Sequence, residues 1–250
     1  MAAAAAIAFL GGLVAGSFVT VVAYRVPRGE SIVGPRSRCP VCGRQIAAYD
    51  NVPVISWVVL RGRARCCGAA ISPRYPLTEL TLGTLYAATV LVLWGEGGGI
   101  ALGLVFVTML TAVTLTDLER RIIPDRVLVV AAIAGVAIAA ATDSGSLPER
   151  AIAAAAAGGL LFAAALAYPR GMGLGDVKLA ATMGLFLGRD VGPAILVALL
   201  TGALFGLAVI AREGVAARKR AIPFGPFLAL GGVVGLLAGG PLVDWYLGLF

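Results

Sequence analysis

Histidine is absent from all 250 positions, which removes every catalytic scheme built on imidazole and every metal site that needs it. Charge is scarce: 13% of residues are Asp, Glu, Lys or Arg, 60% are apolar, and the mean hydropathy is +0.96. So little charge excludes a soluble domain of this length. The apolar runs recur from end to end and imply several membrane spans. No internal repeat stands out, and no glycine-rich nucleotide turn of the Rossmann type is present. The opening "MAAAAAIAFLGGLVAGSFVTVVAYRVPR" has no basic residues ahead of its apolar run. It therefore reads as a retained anchor with its N-terminus outside, not as a removable signal. What is plentiful is small: 34 glycines and long alanine runs, as expected where helices pack closely in lipid, though coding bias alone also enriches alanine.

Eight hydrophobic segments are expected, at about 4–24, 76–94, 99–116, 126–142, 149–168, 174–188, 192–211 and 224–247. Several fall near or below the roughly 20 residues of a perpendicular span; the shortest, 174–188, implies tilt or a place inside a protein-lined cavity. Setting the 25–75 loop in the cytoplasm makes 25–75, 117–126, 169–178 and 212–223 the cytoplasmic parts. They carry 9, 3, 2 and 4 of the 20 Lys and Arg residues, leaving only Arg150 and Arg189 elsewhere. This is the positive-inside distribution, with both termini outside. It explains the net charge of +7 by a membrane partner and leaves no call for nucleic acid. The expected organisation is a first transmembrane helix (1–24), a cytoplasmic Cys-containing domain (25–75), a second helix and connection (76–98), and a membrane-embedded domain (99–250).

An ionisable side chain within a span costs roughly 2.5–3.5 kcal/mol at a helix centre, less near an end, so each one asks for a function. Asp176 sits in "RGMGLGDVKLAATMGLFLG" and Asp117 and Asp125 in "TDLERRIIPDRVL". On this topology all three lie near the inner membrane surface. Two carboxylates suffice to hydrolyse a peptide without a metal. The ionised one takes a proton from water and the protonated one donates to the scissile carbonyl, since like charges held close share a single proton. Each acid also has a structural reading. Asp125 follows Pro124 and suits an N-cap. Asp176 suits the cap of the sixth segment, with Lys178 facing headgroups. Asp117 ends the third segment, where it opposes the helix dipole unless Arg120 or Arg121 pairs with it. Gly171, Gly173 and Gly175 suit close backbone approach to a substrate and make positive φ cheap, and Lys178 is placed with Gly173 and Gly175 at the substrate approach. Glu79, about a turn inside the second segment, reads as a snorkelling or helix-pairing carboxylate or as part of the active cavity.

The 25–75 loop holds all four cysteines. Cys39 and Cys42 form C-x2-C followed by Gly43, and Cys66 and Cys67 precede Gly68. Four thiols, no His and a reducing compartment favour structural zinc over disulfides. Metal would also explain how a loop with so small an apolar core folds. A second C-x2-C would need a cysteine where Ala64 stands. The open arrangements are Cys66 beside Cys67, three thiolates with another ligand such as Asp50, a degenerate site, or buried thiols without metal.

Taken in order, "GSFVTVVAYRVPRGESIVGPRSRCPVCG", "YDNVPVISWVVLRGRARCCGAAISPRYPLTEL", "TDLERRIIPD", "GMGLGDVK" and "IPFGPFLALGG" resemble the type IV prepilin peptidase family, leader peptidases and N-methyltransferases among the GxGD aspartyl proteases. The resemblance covers nearly the whole chain. It implies an all-α polytopic inner-membrane protein of about eight helices with a small zinc-ribbon-like cytoplasmic insertion. Asp117 and Asp176 would be the catalytic pair, and Asp125 would close the first catalytic segment. The cysteine motif would be met by Cys39, Cys42 and Cys67, with Cys66 in place of the residue missing at Ala64; Thr20 stands where many members have asparagine. The implied partners are prepilins or secretion-system pseudopilins with basic leaders, cut after glycine at the cytoplasmic membrane face. The new N-terminus would then be methylated from S-adenosylmethionine. Two rival classes remain, a proton-coupled transporter and a catalytically inactive pilus or secretion assembly protein. A transporter usually holds its acids near the midplane, often between repeated halves, and here they gather at one face.

Overall fold

The computed structural model describes residues 1–34, 36–168, 172–214 and 222–248. Among these it is helical, with two isolated antiparallel β-bridges, Arg38 with Gln45 and Arg63 with Ala70. The chain divides into two compact units, Met1–Trp94 and Gly95–Phe250.

In the first unit, helix α1 (Ala2–Arg25) packs along α3 (Arg74–Val92), and the short α2 (Ile55–Val59) lies in the loop between them. The buried face of α1 is Ala5, Gly12, Gly16, Val19 and Ala23, a stripe of small residues. Gly12 and Gly16, four apart, share one side of the helix. A Cβ at Gly12 would lie 2.7 Å from the Gly83 Cα, and one at Gly16 would lie 2.7 Å from the Glu79 Cα. The two backbones therefore touch without intervening side chains, the usual way that helices associate in lipid. Gly16→Leu is accordingly expected to destabilise the pair by about 1–3 kcal/mol through overpacking. Gly11→Leu, where nothing lies within 4 Å, should leave the melting temperature in detergent unchanged. Equal melting temperatures for the two variants would contradict this contact.

The second unit comprises α4 (Gly97–Arg120), α5 (Asp125–Thr142), α6 (Leu147–Ala167), α7 (Leu174–Leu187), α8 (Val191–Glu213) and α9 (Gly225–Leu247). Helix α4 is the central one, the most deeply buried of the candidate spans of this unit. Phe106 of α4 stacks on Phe186 of α7 with ring centroids 5.1 Å apart. Around this pair Leu110, Leu179, Met183 and Leu228 are almost wholly buried. Helix α4 ends where Arg121 adopts a left-handed conformation (φ 55°) and donates its N–H to the Asp117 carbonyl. Pro124 then fixes the extended approach to α5.

Six stretches of the described residues are long and apolar enough to cross a membrane, Leu174–Glu213 counting as one although it holds both α7 and α8. Helix α3 is not among them. Helix α7 has only 14 residues, in line with the short segment read from the sequence.

Candidate active site and cysteine cluster

Asp117 and Asp176 line one cavity of about 310 Å³, together with Arg121, Asp125, Gly173, Gly175 and Lys178. Asp117 lies three residues before the end of α4, where a negative charge opposes the dipole of its own helix. Its carboxylate finds a different helix. Oδ2 accepts the backbone N–H of Gly225 at 2.9 Å, the first residue of α9, so the charge meets a free N–H at a positive helix end. Among the described residues no ion pair joins Asp117 to Arg120 or Arg121. The side chain is buried, with 5% of its surface exposed.

Asp176 sits in the first turn of α7. Its Oδ2 accepts the N–H of Gly173 at 3.1 Å, the reach-back that satisfies one orphan donor at a helix start. The capping role read from the sequence is therefore present, and the same side chain borders the cavity. Both acids are fixed by one backbone N–H at a helix N-terminus, each through a single oxygen.

Three expectations need correction. Asp125 does not cap α5: Pro124 holds the cap position and no side chain bonds there. The Asp125 carboxylate instead takes both oxygens to Lys178 Nζ, at 2.8 and 2.9 Å. Lys178, read as a residue at the substrate approach or among headgroups, thus ties the start of α5 to α7. Gly173 and Gly175 do not use positive φ. Gly173 is extended at φ −86°, and Gly175 is helical, where a Cβ would come within 3.1 Å of Ile123. Close approach is the reason for glycine at 175; Gly171 lies outside the described residues. The helix-pairing reading of Glu79, on α3, stands: its carboxylate takes a hydrogen bond from the Ser17 side chain of α1. Its Oε2 accepts the N–H of Val54 at 2.7 Å, holding that β-branched residue at φ 60°.

Gly225 is the residue that sequence reasoning passed over. It stood inside the quoted "IPFGPFLALGG" with no role assigned. A Cβ there would lie 2.7 Å from Asp117 Oδ2 and 3.1 Å from its Cγ, so only glycine lets the carboxylate reach the helix end. A glycine between Phe224 and Pro226 at a helix start was the available signal.

In the first unit the cysteines occupy two similar turns. Cys39 N–H bonds the Arg44 carbonyl and Gly43 N–H returns to the Cys39 carbonyl. Ala64 N–H likewise bonds the Ala69 carbonyl and Gly68 N–H returns to Ala64. Gly43 and Gly68 both have φ 71°. Ala64 therefore stands at the position equivalent to Cys39, and Cys67 at that of Cys42. Cys66 supplies the missing thiol: all four sulfurs lie within 4.8 Å of one another. Cys39 Sγ is 3.6 Å from Cys67 Sγ, and Cys42 Sγ is 3.3 Å from Cys66 Sγ. Metal–sulfur bonds of about 2.3 Å in a tetrahedron require sulfurs about 3.8 Å apart, so the set fits a tetrathiolate ion. Asp50 is not part of the cluster; it holds Arg65 through contacts of 2.9 to 3.0 Å. Backbone N–H groups of Cys42 and Val41 lower the Cys39 thiol to about 6, while a hydrogen bond with Cys42, together with burial, pushes Cys66 up to about 12.

Fold and site together define a multi-pass α-helical membrane protein with two acids in one cavity. Residues 10–93 match the family model "Bacterial Peptidase A24 N-terminal domain", and residues 104–210 match "Type IV leader peptidase family". The chain is 33% identical over 270 residues to the prepilin leader peptidase/N-methyltransferase of Aeromonas salmonicida (strain A449), covering 96% of this chain and 92% of the relative. It is 34% identical to the protein of that name from Bacillus subtilis (strain 168), covering 96% and 97%. With the one from Myxococcus xanthus (strain DK1622) identity is 38% over 82% of this chain and 63% of the relative. No solved structure matches it. The chain belongs to the type IV leader peptidase family.

Proposed function

We propose that this protein is an aspartyl endopeptidase of the inner membrane that removes the basic leader from a prepilin or pseudopilin, with Asp117 and Asp176 as its catalytic pair. The observation that carries the reading is the shared cavity: two acids from separate helices border one space, each anchored by a backbone N–H at a helix start. With one proton between them, the ionised carboxylate draws a proton from water, and the resulting hydroxide adds to the scissile carbonyl. The protonated partner gives its proton to the carbonyl oxygen. As the tetrahedral species collapses, the proton taken from water passes to the departing amine. The products are a leader ending in a carboxylate and a mature chain with a free amine.

The site belongs at the cytoplasmic face, and the eight helices α1 and α3–α9 are the proposed spans, with both termini outside. The charge distribution supports this orientation. A transporter remains less favoured, because the acids lie at helix ends and not along a midplane path. An inactive assembly protein is disfavoured by the intact pair of acids.

Residues 25–75 are proposed as the domain that serves methylation, with zinc held by Cys39, Cys42, Cys66 and Cys67. Zinc bound there would fix the fold of a loop that has little apolar core. Methylation of the new amine would draw on S-adenosylmethionine, the reading supported by the relatives' names; no residue is assigned to holding that cofactor. Elemental analysis is expected to give about one zinc per chain. Cys66→Ser should lower that content and make the 26–73 loop accessible to protease. Zinc at background in the wild type would contradict the metal reading.

The functional test is mass spectrometry of a purified prepilin incubated with the detergent-solubilised protein, with and without S-adenosylmethionine. Leader loss in both samples and a methyl increment only with the cofactor are expected. An unprocessed client would overturn the peptidase reading.

A further inference from the structure

The loop between α1 and α3 carries an apolar face that the first unit leaves uncovered among the described residues. In α2, Ser56 is buried and Trp57 half-buried, while Ile55, Val58 and Val59 expose 62%, 60% and 68% of their surface. Spaced at i, i+3 and i+4, these three share one side of the helix. The opposite side is pinned. Val52 N–H donates to Ser56 Oγ, which donates to the Tyr49 carbonyl, both at 2.9 Å. Trp57 Nε1 donates to the Ile71 carbonyl at 3.0 Å. The backbone turns sharply at each end, with φ 60° at Val54 and 51° at Arg61, conformations that cost energy in residues other than glycine. The outward direction of the apolar face is therefore fixed by the loop's own contacts.

Its depth follows from the packing of α1 on α3. Gly16 meets Glu79 at the backbone, and Gly16 lies nine residues before Arg25, the end of α1. At 1.5 Å per residue that is about 13 Å inside the basic end of the helix. Glu79 Oε2 accepts the N–H of Val54, the residue before α2. A glutamate side chain and one hydrogen bond together span less than that distance, so α2 starts inside the level of Arg25, beside the apolar part of α1. Arg61 and Arg63 follow α2 and are exposed. Residues 25–75 hold nine arginines and only two acids, Glu30 and Asp50, and Asp50 is occupied by Arg65. An apolar helix face at the edge of the hydrocarbon, followed by cations in a basic domain, has the chemistry of an interfacial anchor on an anionic leaflet.

We propose that α2 seats in the inner leaflet, with Ile55, Val58 and Val59 among the acyl chains and Arg61 and Arg63 on anionic phospholipid headgroups. This gives the cysteine-containing loop a membrane attachment of its own, besides the two helices that bound it. The inference goes beyond the peptidase reading and does not rest on it; only the choice of leaflet follows from the proposed orientation.

The test places the photoreactive amino acid p-benzoylphenylalanine at position 58 of the full chain. The protein is reconstituted in phosphatidylcholine vesicles containing about one tenth phosphatidylglycerol, and mass spectrometry identifies what the label captures. Lipid adducts are expected, with phosphatidylglycerol enriched roughly 3-fold or more over its share of the vesicle, as two surface arginines would impose. Arg61→Gln/Arg63→Gln should return that enrichment to about one. Arg61→Lys/Arg63→Lys should keep it, a rescue that a role in loop packing alone would not give. Should the label at position 58 prevent folding, position 55 carries the same prediction. Capture of α4–α9 or of a second copy would show that protein covers the face, and no adduct would show that it meets water; either result overturns the anchor. Lipid adducts in simple proportion to the vesicle composition would overturn the part given to the two arginines.

Discussion

Asp117→Asn and Asp176→Asn are each expected to reduce leader cleavage by roughly 10³-fold or more, the scale on which a positioned acid or base contributes, while the protein stays folded. Retention of the fold follows from the contacts. Each carboxylate accepts one backbone N–H, from Gly225 or from Gly173, and the amide oxygen of Asn can accept the same hydrogen bond. What Asn lacks is a titratable proton and the charge. Helical circular dichroism and the melting temperature in detergent should therefore match the wild type, and the loss should appear in kcat. A variant that loses both fold and activity would mean that the acid is structural. One that keeps near-normal cleavage would mean that the pair is misassigned.

Gly225→Ala is the second large effect, and it involves no titratable group. The added methyl would come within 2.7 Å of Asp117 Oδ2 and 3.1 Å of Cγ, closer than nonbonded carbon and oxygen tolerate. The Asp117 side chain has to turn away from the start of α9, losing its donor and its place in the cavity. Displacement by about 1 Å is enough to cost roughly 10²-fold in rate. The loss should fall on kcat more than KM, because the substrate-lining residues are untouched. As a control, Gly240→Ala in the same helix, where nothing lies within 4 Å, should cleave at the wild-type rate. Equal rates for Gly225→Ala and Gly240→Ala would show that Asp117 does not depend on this contact.

The long helices were legible because apolar runs in a chain with so little charge leave few alternatives, and the short 174–188 segment matched the brevity of α7. The two acids were legible because an ionisable group at a span end stands out against its surroundings. What holds them was not. The N–H of Gly225 reaches Asp117 across more than a hundred residues of chain, and a backbone donor leaves no side-chain pattern to read. The partnership of Asp125 with Lys178 was hidden for a related reason. Pro124 before Asp125 matches a helix start so well that local chemistry suggested a cap, and the tertiary contact from α7 overrode it. In the loop, the adjacent Cys66 and Cys67 looked like a damaged motif. The register of the two turns, with Ala64 equivalent to Cys39, became visible only through their matching backbone hydrogen bonds.

The central claim is that Asp117 and Asp176 act as one unit on one peptide bond. Its most direct test is the cleavage rate of the double variant Asp117→Asn/Asp176→Asn beside the two single variants, measured with one prepilin by mass spectrometry over long incubations. Residues that work as a unit give strongly non-additive losses. The double variant should therefore cleave no more slowly than the slower single variant. Losses that multiply would mean that the two acids contribute separately, and the account of a shared proton would be wrong.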